Sequence, residues 1–326
     1  MWRVRAERAG ADKTGRMSRR QPLPEGLGHE FAARDARAEG VSRSRLRASD
    51  LDVVFRGSRS QHVAPIDLTD LTTAERYEVW HAQFLARCRA YVPVAPGDFR
   101  FGLVTAARLY RIPLPPELQR RDSLDVVVAS SRFPPRMKGV TGHRTLELPA
   151  PHSVDGLPVM PPELVWLGLA RVLTLDELIV AGDFLVRRKS PLSTLDGLRA
   201  ALAEHGARPG AVRSRDAIEQ IRPGTDSPKE SEMRLILVRA GLPEPQIGYT
   251  VYDRNGHWVG TPDLAYVERR VALDYEGEIH RTDERTFLGD IERREMFADA
   301  DWRHIRVTKD HLRAPHRLVA RVAPLL

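Results

Sequence analysis

Carboxylate residues recur in the last third of the chain at spacings that suit metal chemistry. Asp263 follows Pro262 on a predicted strand, and Asp274 and Glu276 lie two residues apart on the next strand. Side chains two apart on a strand share a face, and a tight turn between the strands would bring Asp263 beside Asp274. Hard divalent cations such as Mg²⁺ prefer carboxylate and water oxygens. The spacing therefore favours a metal site formed by Asp263, Asp274 and Glu276.

A second interpretation of these residues needs no metal. Asp263 can end a turn, and Glu276 can face solvent on an acidic edge strand. However, three carboxylates between Leu273 and Glu278 repel one another unless a cation or basic groups offset them. A cation held beside a phosphate would polarise a phosphoryl oxygen and lower the pKa of an attacking water.

The elements that must position these carboxylates are predicted in the order α-β-β-β-α-β-α. Helical periodicity, strand alternation and the turn residues Asn255-Gly256 indicate this order. The predicted elements are a helix at Lys229–Ala240, strands at Gln246–Tyr252, Trp258–Val267 and Val271–Glu276, a helix at Asp283–Asp299, a strand at Arg303–Val307 and a closing helix at Arg313–Leu326.

These motifs resemble the PD-(D/E)XK nuclease superfamily. More closely, residues 226–326 resemble actinobacterial endonuclease-like domains related to very-short-patch-repair (Vsr) endonucleases. The matching segments are, in order, Glu230-Ser231-Glu232, Pro262-Asp263, Asp274-Tyr275-Glu276-Gly277, His280, Asp290-Ile291-Glu292-Arg293-Arg294 and Trp302–Val307.

The resemblance implies a restriction-endonuclease-like fold and a Mg²⁺- or Mn²⁺-dependent endodeoxyribonuclease that hydrolyses DNA phosphodiester bonds. Asp263 and Asp274 would be the principal metal ligands. Glu276 would be a third ligand or would position the attacking water. Glu232 would bind the metal through water or orient a ligand.

Two basic residues complete the implied catalytic set. His280 would act as a general acid or contact phosphate, and Arg293 would hold the scissile phosphate. The alternative for Arg293 is an exposed helix face that pairs with neighbouring glutamates. Two departures bear on activity. The third strand has Asp-x-Glu-Gly where the family has Glu-x-Asp-Gly, and Glu276 replaces the superfamily lysine.

Residues 23–68 are predicted to form a winged helix-turn-helix. Phe31–Arg56 resembles the winged-helix antitoxin of AbiEi type, and a second helix opening at Ser42 would present basic side chains to DNA phosphates. An ordinary small helical subdomain with a solvated face is the alternative. The predicted nucleic-acid contacts are Arg43, Arg45, Arg47 and Arg56.

Two further segments complete the predicted organisation. Residues 69–222 form a middle α/β module, in which the segment from Leu157 through Asp183 resembles the module that follows the AbiEi winged helix. Residues 1–22 are predicted to be a disordered basic arm, or translated upstream sequence if Met17 is the true start. The overall class is therefore mixed α+β.

Composition limits the function classes. The 326 residues carry a net charge of +7, of which residues 1–20 contribute +5, residues 21–225 contribute +4 and residues 226–326 contribute −2. A single cysteine, Cys88, excludes an intramolecular disulfide framework and a multi-cysteine zinc site, and it suits a reducing cytoplasm. No apolar run approaches the ~20 residues that span a bilayer.

DNA is thus the expected partner, with no membrane. The alternative function is a non-catalytic DNA-binding regulator, or an AbiEi-type antitoxin-like protein, with a degenerate nuclease domain. A toxin partner and a homo-oligomer are both left open by the sequence.

Overall fold

A computed structural model of the protein describes residues 21–276 and 284–326, and within residues 284–291 it describes only the course of the helix. The predicted mixed α+β class is confirmed. The chain divides into two compact units, one reaching to Asp98 and including Met137–Gly139, the other made of Phe99–Arg136 and Val140–Leu326. His280 and residues 1–20 of the expected arm at residues 1–22 lie outside the described residues. No helix in the described ranges is long and apolar enough to cross a bilayer.

The first unit combines a small antiparallel sheet with a long helix. Its strands pair in the order β1-β3-β2, and α2 begins at a capping box formed by Thr72 and Glu75. Its elements are β1 (Glu30–Ala32), α1 (Ala33–Ala38), β2 (Leu51–Asp52), β3 (Ser58–Gln61) and α2 (Thr73–Tyr91). A core beneath the sheet contains Leu27, Phe31, Ala36, Val41, Leu46 and Leu51.

The predicted second helix of the winged motif is wrong, because the chain makes only one 3₁₀ turn, Arg45–Arg47. The Arg59 guanidinium donates to the Leu46 carbonyl at 2.7 Å, so this carbonyl is not left for a following helical turn. Arg45 does not face solvent, because its guanidinium donates to both oxygens of Asp50 at 2.9 and 2.8 Å. The other predicted DNA contacts, Arg43, Arg47 and Arg56, are exposed.

The second unit begins with a five-stranded sheet and a group of helices. The strands are β4 (Arg100–Phe101), β5 (Leu124–Ala129), β6 (Val140–Thr145), β7 (His152–Val154) and β8 (Leu157–Val159), in the order β6-β5-β4-β8-β7. The helices are α3 (Leu103–Leu109), α4 (Pro116–Gln119), α5 (Pro162–Leu169), α6 (Leu175–Leu185), α7 (Leu195–His205) and α8 (Ala211–Ile218). The strand expected at Leu124–Ala129 is confirmed, and it is buried except at its last residue.

The C-terminal part of this unit follows the predicted element order. Its helices are α9 (Pro228–Arg239), α10 (Glu284–Asp299), α11 (Lys309–Arg313) and α12 (Pro315–Val322). Its strands are β9 (Gln246–Ile247), β10 (Val251–Tyr252), β11 (Trp258–Gly260), β12 (Leu264–Tyr266), β13 (Val271–Glu276) and β14 (Arg303–Thr308). Four of these strands form a sheet in the order β14-β13-β12-β9, while β10 and β11 form a separate ribbon.

The long strands predicted on both sides of the Asn-Gly turn are each broken in two. Gly248, at a φ of +63°, separates β9 from β10, and Pro262, which has no N–H to donate to a sheet, separates β11 from β12. The breaks place Thr261, Pro262 and Asp263 in an irregular segment at the end of the sheet. The hairpin turn itself is confirmed, since the Asp253 N–H donates to the His257 carbonyl at 2.9 Å.

The sheet is covered by helices on two faces. On one face Met233 and Leu237 of α9 and Leu318 of α12 pack against Leu264 and Leu273. On the other, Phe297 of α10 packs in a cluster with the alternate strand residues Ala265 and Ala272. Because side chains alternate along β13, Asp274 lies on the α10 face.

A buried ion pair joins α9 to the preceding helices. The Arg234 guanidinium donates to Asp183 of α6 at 2.8 Å, to Glu244 at 2.9 Å and to the Gln220 carbonyl at 3.0 Å. The side chains of Arg234 and Asp183 are 2% and 0% exposed. The helical group therefore fixes the position of α9, which carries one residue of the candidate site.

Asp183→Ala is expected to lower the free energy of unfolding by about 3 kcal/mol, because it leaves part of the buried Arg234 charge uncompensated. Urea denaturation followed by tryptophan fluorescence measures this loss. Asp176→Ala is the control, since the Asp176 pair with Arg239 is exposed and its loss should cost less than about 1 kcal/mol. Equal small losses in both variants would contradict the assignment.

Candidate functional site

Asp263 and Asp274 are linked by two hydrogen bonds between their carboxylates and backbone N–H groups. The Asp263 N–H donates to Oδ1 of Asp274 at 3.0 Å, and the Tyr275 N–H donates to Oδ2 of Asp263 at 2.7 Å. Asp263 directly precedes β12 and Asp274 lies on β13, and the antiparallel register of these two strands pairs Leu264 with Leu273. The predicted proximity of Asp263 and Asp274 is confirmed.

Asp274 is further bound by two basic side chains. Its Oδ2 accepts from Nε2 of His304 at 2.7 Å and from two Arg293 nitrogens at 2.9 and 3.2 Å. Burial raises the pKa of Asp274, but the His304 hydrogen bond and the Arg293 charge outweigh burial and hold this pKa below its ordinary value. Asp274 is therefore ionised and well compensated.

Asp263 has the opposite electrostatic environment. Burial raises its pKa from 3.8 to about 7, and the charges of Glu230 and Asp274 add to the effect. The Tyr275 N–H and the Arg293 charge oppose this rise without cancelling it. Asp263 is thus a half-buried carboxyl group whose negative charge its neighbours offset only in part, which is a common property of functional groups.

The acidic residue that α9 brings to this place is Glu230. Glu230 is 8% exposed, and its Oε2 accepts from the Asp226 N–H at 2.8 Å. Burial raises the pKa of Glu230 as well. The prediction of Glu232 is wrong, because Glu232 points to another face of α9, where it pairs with Lys229 at 2.6 Å.

Glu276 also does not join the cluster. Its two oxygens accept from the Arg306 guanidinium on β14, one of them from Nε at 2.8 Å. Glu276 is also absent from the wall of the cavity that Asp263, Asp274 and Glu230 line. The predicted set of Asp263, Asp274 and Glu276 is thus reduced to the first two, with Glu230 added from α9.

The three acids line one cavity of about 350 Å³. The cavity wall is mostly polar and also contains three cationic side chains. The lining residues are Arg188, Lys189, Gly224, Asp226, Glu230, Gly248, Thr261, Pro262, Asp263, Asp274 and Arg293.

Among the side chains that the structure describes, those of residues 21–276 and 292–326, no group of three or more His, Cys, Asp or Glu is arranged as a ready set of metal ligands. This finding excludes a preformed all-protein cage among those residues. Mg²⁺ is usually held differently, by one or two carboxylates together with waters and substrate phosphates. The uncompensated carboxylate of Asp263, with Glu230 and Asp274 in the same wall, fits that kind of site.

Several of these residues were not expected from the sequence. His304 lies on β14, its ring stacks on Phe297 at 4.8 Å, and no local motif marks it. Arg188 and Lys189 lie far from the carboxylates in sequence, so only the fold brings them there. Glu230 could have been found from helical phase, because it shares a face with the core residues Met233 and Leu237.

Comparison with known proteins identifies relatives whose names assign no activity. No protein-family model matches the chain. Two uncharacterized proteins of Mycobacterium tuberculosis, MT2308 and Rv2248, are each 29% identical to it over 150 residues, or 42% of this chain and 55% of the relative. The chain thus spans about half the length of these curated relatives, and their names assign no activity.

The Asp263 environment gives a pH-dependent stability. As pH rises from about 4 to about 7, Asp263 ionises in the unfolded chain but stays protonated in the folded protein, so the wild type loses stability. The Asp263→Asn variant has no titrating group at this position, so it does not show this loss of stability. Its free energy of unfolding, minus that of the wild type, should increase over this range by at most about 4 kcal/mol.

Urea denaturation of both proteins at several pH values measures the difference. If the difference in unfolding free energy stays constant between pH 4 and pH 7, the pKa of Asp263 in the folded protein is not raised.

Proposed function

We propose that the C-terminal part of the protein is a Mg²⁺-dependent endonuclease that hydrolyses DNA phosphodiester bonds. The observation that carries this proposal is the interlocked pair of Asp263, directly before β12, and Asp274, on β13, with Glu230 in the same cavity. The resemblance of residues 226–326 to Vsr-related endonuclease-like domains supports it. A cytoplasmic location belongs to the same proposal.

Each side chain has a part in this proposed chemistry. Asp263 and Asp274 would supply oxygens to a divalent cation, and Glu230 would supply a further carboxylate in place of the predicted Glu232. Such a cation, when bound, would polarise a phosphoryl oxygen and lower the pKa of an attacking water. Arg293, which donates to Asp274 and to the Thr261 carbonyl, lies where it can also stabilise charge on the phosphate. His280 keeps its proposed role, since it lies outside the described residues.

A non-catalytic DNA-binding regulator is the second candidate. The observation that favours it is the saturation of Asp274, because Arg293 and His304 already take Oδ2 and the Asp263 N–H takes Oδ1. An arginine in this position compensates the charge that a metal ion would otherwise compensate. In that case the exposed Arg43, Arg47 and Arg56 would carry DNA binding.

Nicking of supercoiled plasmid by the purified full chain in Mn²⁺ or Mg²⁺ separates the two functions. The wild type should nick DNA only with the divalent cation, and Asp263→Asn and Glu230→Gln should each lower the rate at least about 100-fold. Glu232→Gln is the matched control on the same helix and should retain the wild-type rate. Retarded DNA without nicking on any substrate would favour the regulator.

A further inference from the structure

Two of the cations in the carboxylate cavity come from outside the nuclease-like region. Arg188 and Lys189 lie between α6 and α7, and both line the cavity that contains Asp263. Their side chains are 54% and 78% exposed, so each remains accessible to a ligand. The helical group before residue 226 thus forms part of the cavity wall.

Asp226 holds both cations at the cavity. Its Oδ2 accepts from the Arg188 guanidinium, with Nε at 3.1 Å, and lies 3.6 Å from Nζ of Lys189. The backbone is tied at the same place, because the Arg188 N–H donates to the Thr225 carbonyl at 3.2 Å. Asp226 is linked in turn to Glu230 through its own N–H. The two cations are therefore positioned beside the carboxylates and are not on a free loop.

The third cation of the described cavity wall is Arg293, which donates to Asp274. Glu276, which replaces the superfamily lysine, is itself held by Arg306. A phosphodiester approaching four carboxylates needs positive charge to offset its own repulsion. Arg188 and Lys189 are the more exposed positive charges of this wall, at 54% and 78% against 36% for Arg293.

We propose that Arg188 and Lys189 bind the phosphate backbone of DNA at the carboxylate cavity, and that Asp226 holds them in place and competes with that phosphate. This inference deepens the proposed nuclease function and rests on it. Arginine suits bidentate contact with a phosphate, while lysine adds a mobile point charge. The site is then composite, because the helical group supplies its phosphate-binding side chains.

The alternative is that the Asp226 cluster only links two parts of the fold. The two cations of this cluster are exposed while the Asp226 side chain is 18% exposed, and an ion pair with an exposed partner contributes about 1 kcal/mol to stability. Its loss should therefore leave the protein folded, and the melting temperature checks this in every variant. A structural link and a phosphate site then differ in their effects on DNA binding.

The first experiment measures binding of a fluorescein-labelled DNA duplex to the full chain in Ca²⁺, at several salt concentrations. Arg188→Ala/Lys189→Ala should weaken binding about tenfold and reduce the slope of log Kd against log salt by about 1 to 2, because each phosphate contact contributes about 0.9. Arg199→Ala is the control, since Arg199 is an exposed arginine on α7 paired with Asp196, and its slope should stay unchanged.

The second experiment uses a variant that is expected to bind DNA more tightly than the wild type. Asp226→Asn removes the competing carboxylate and should tighten DNA binding several-fold, and by clearly more than Asp196→Asn, which removes an exposed carboxylate from the Arg199 pair and measures the effect of charge alone. A structural role predicts no tightening beyond that control. Unchanged affinity and slope in both the double variant and Asp226→Asn would overturn the proposal, as would the absence of DNA binding by the wild type.

The two proposals fail in different ways. If the wild type binds DNA as expected here but does not hydrolyse it with Mg²⁺ or Mn²⁺, the nuclease function fails and the phosphate site stands. If the wild type cleaves DNA while all variants bind it equally, the composite site fails and the nuclease function stands.

Discussion

The site depends on the reciprocal contact between Asp263 and Asp274. Each carboxylate accepts a backbone N–H from the other strand, so the β12–β13 pairing fixes both groups in a largely buried place. Burial of two acids side by side is unfavourable unless their charges are offset. His304 and Arg293 hold the pKa of Asp274 below its ordinary value, whereas burial, with the charges of Glu230 and Asp274, raises the pKa of Asp263 to about 7. A divalent cation or a bound proton would offset this negative charge.

The surrounding fold positions the other residues of the cavity around this pair. The break at Pro262 leaves Asp263 outside the regular ladder, where its side chain can reach the neighbouring strand. The buried pair of Arg234 and Asp183 fixes α9, which carries Glu230, against the preceding helices. The same helices lead into Arg188 and Lys189, so the cavity is made from segments on both sides of residue 226. Residues 226–326 and the preceding helices accordingly belong to one compact unit.

Sequence patterns predicted those parts of the site that depend on residues close together in the chain. The order of C-terminal elements, the Asn-Gly turn and the Asp263–Asp274 contact follow from periodicity, turn chemistry and strand alternation. Glu276 and Arg45 could not be judged in this way, because each is removed from its predicted role by a distant or unanticipated partner, Arg306 and Asp50. Glu232 was an error of helical phase. Arg188 and His304 enter through tertiary contacts that leave no sequence signal.

The central claim is that the unneutralised carboxylates bind a divalent cation. Titration of Mn²⁺ into the full chain, read by the electron paramagnetic resonance signal of free Mn²⁺, tests this claim without any activity. The account predicts saturable binding that is lost in Asp263→Asn, weakened in Glu230→Gln and retained in Glu232→Gln. Absence of saturable binding, or equal binding in all four proteins, would contradict it.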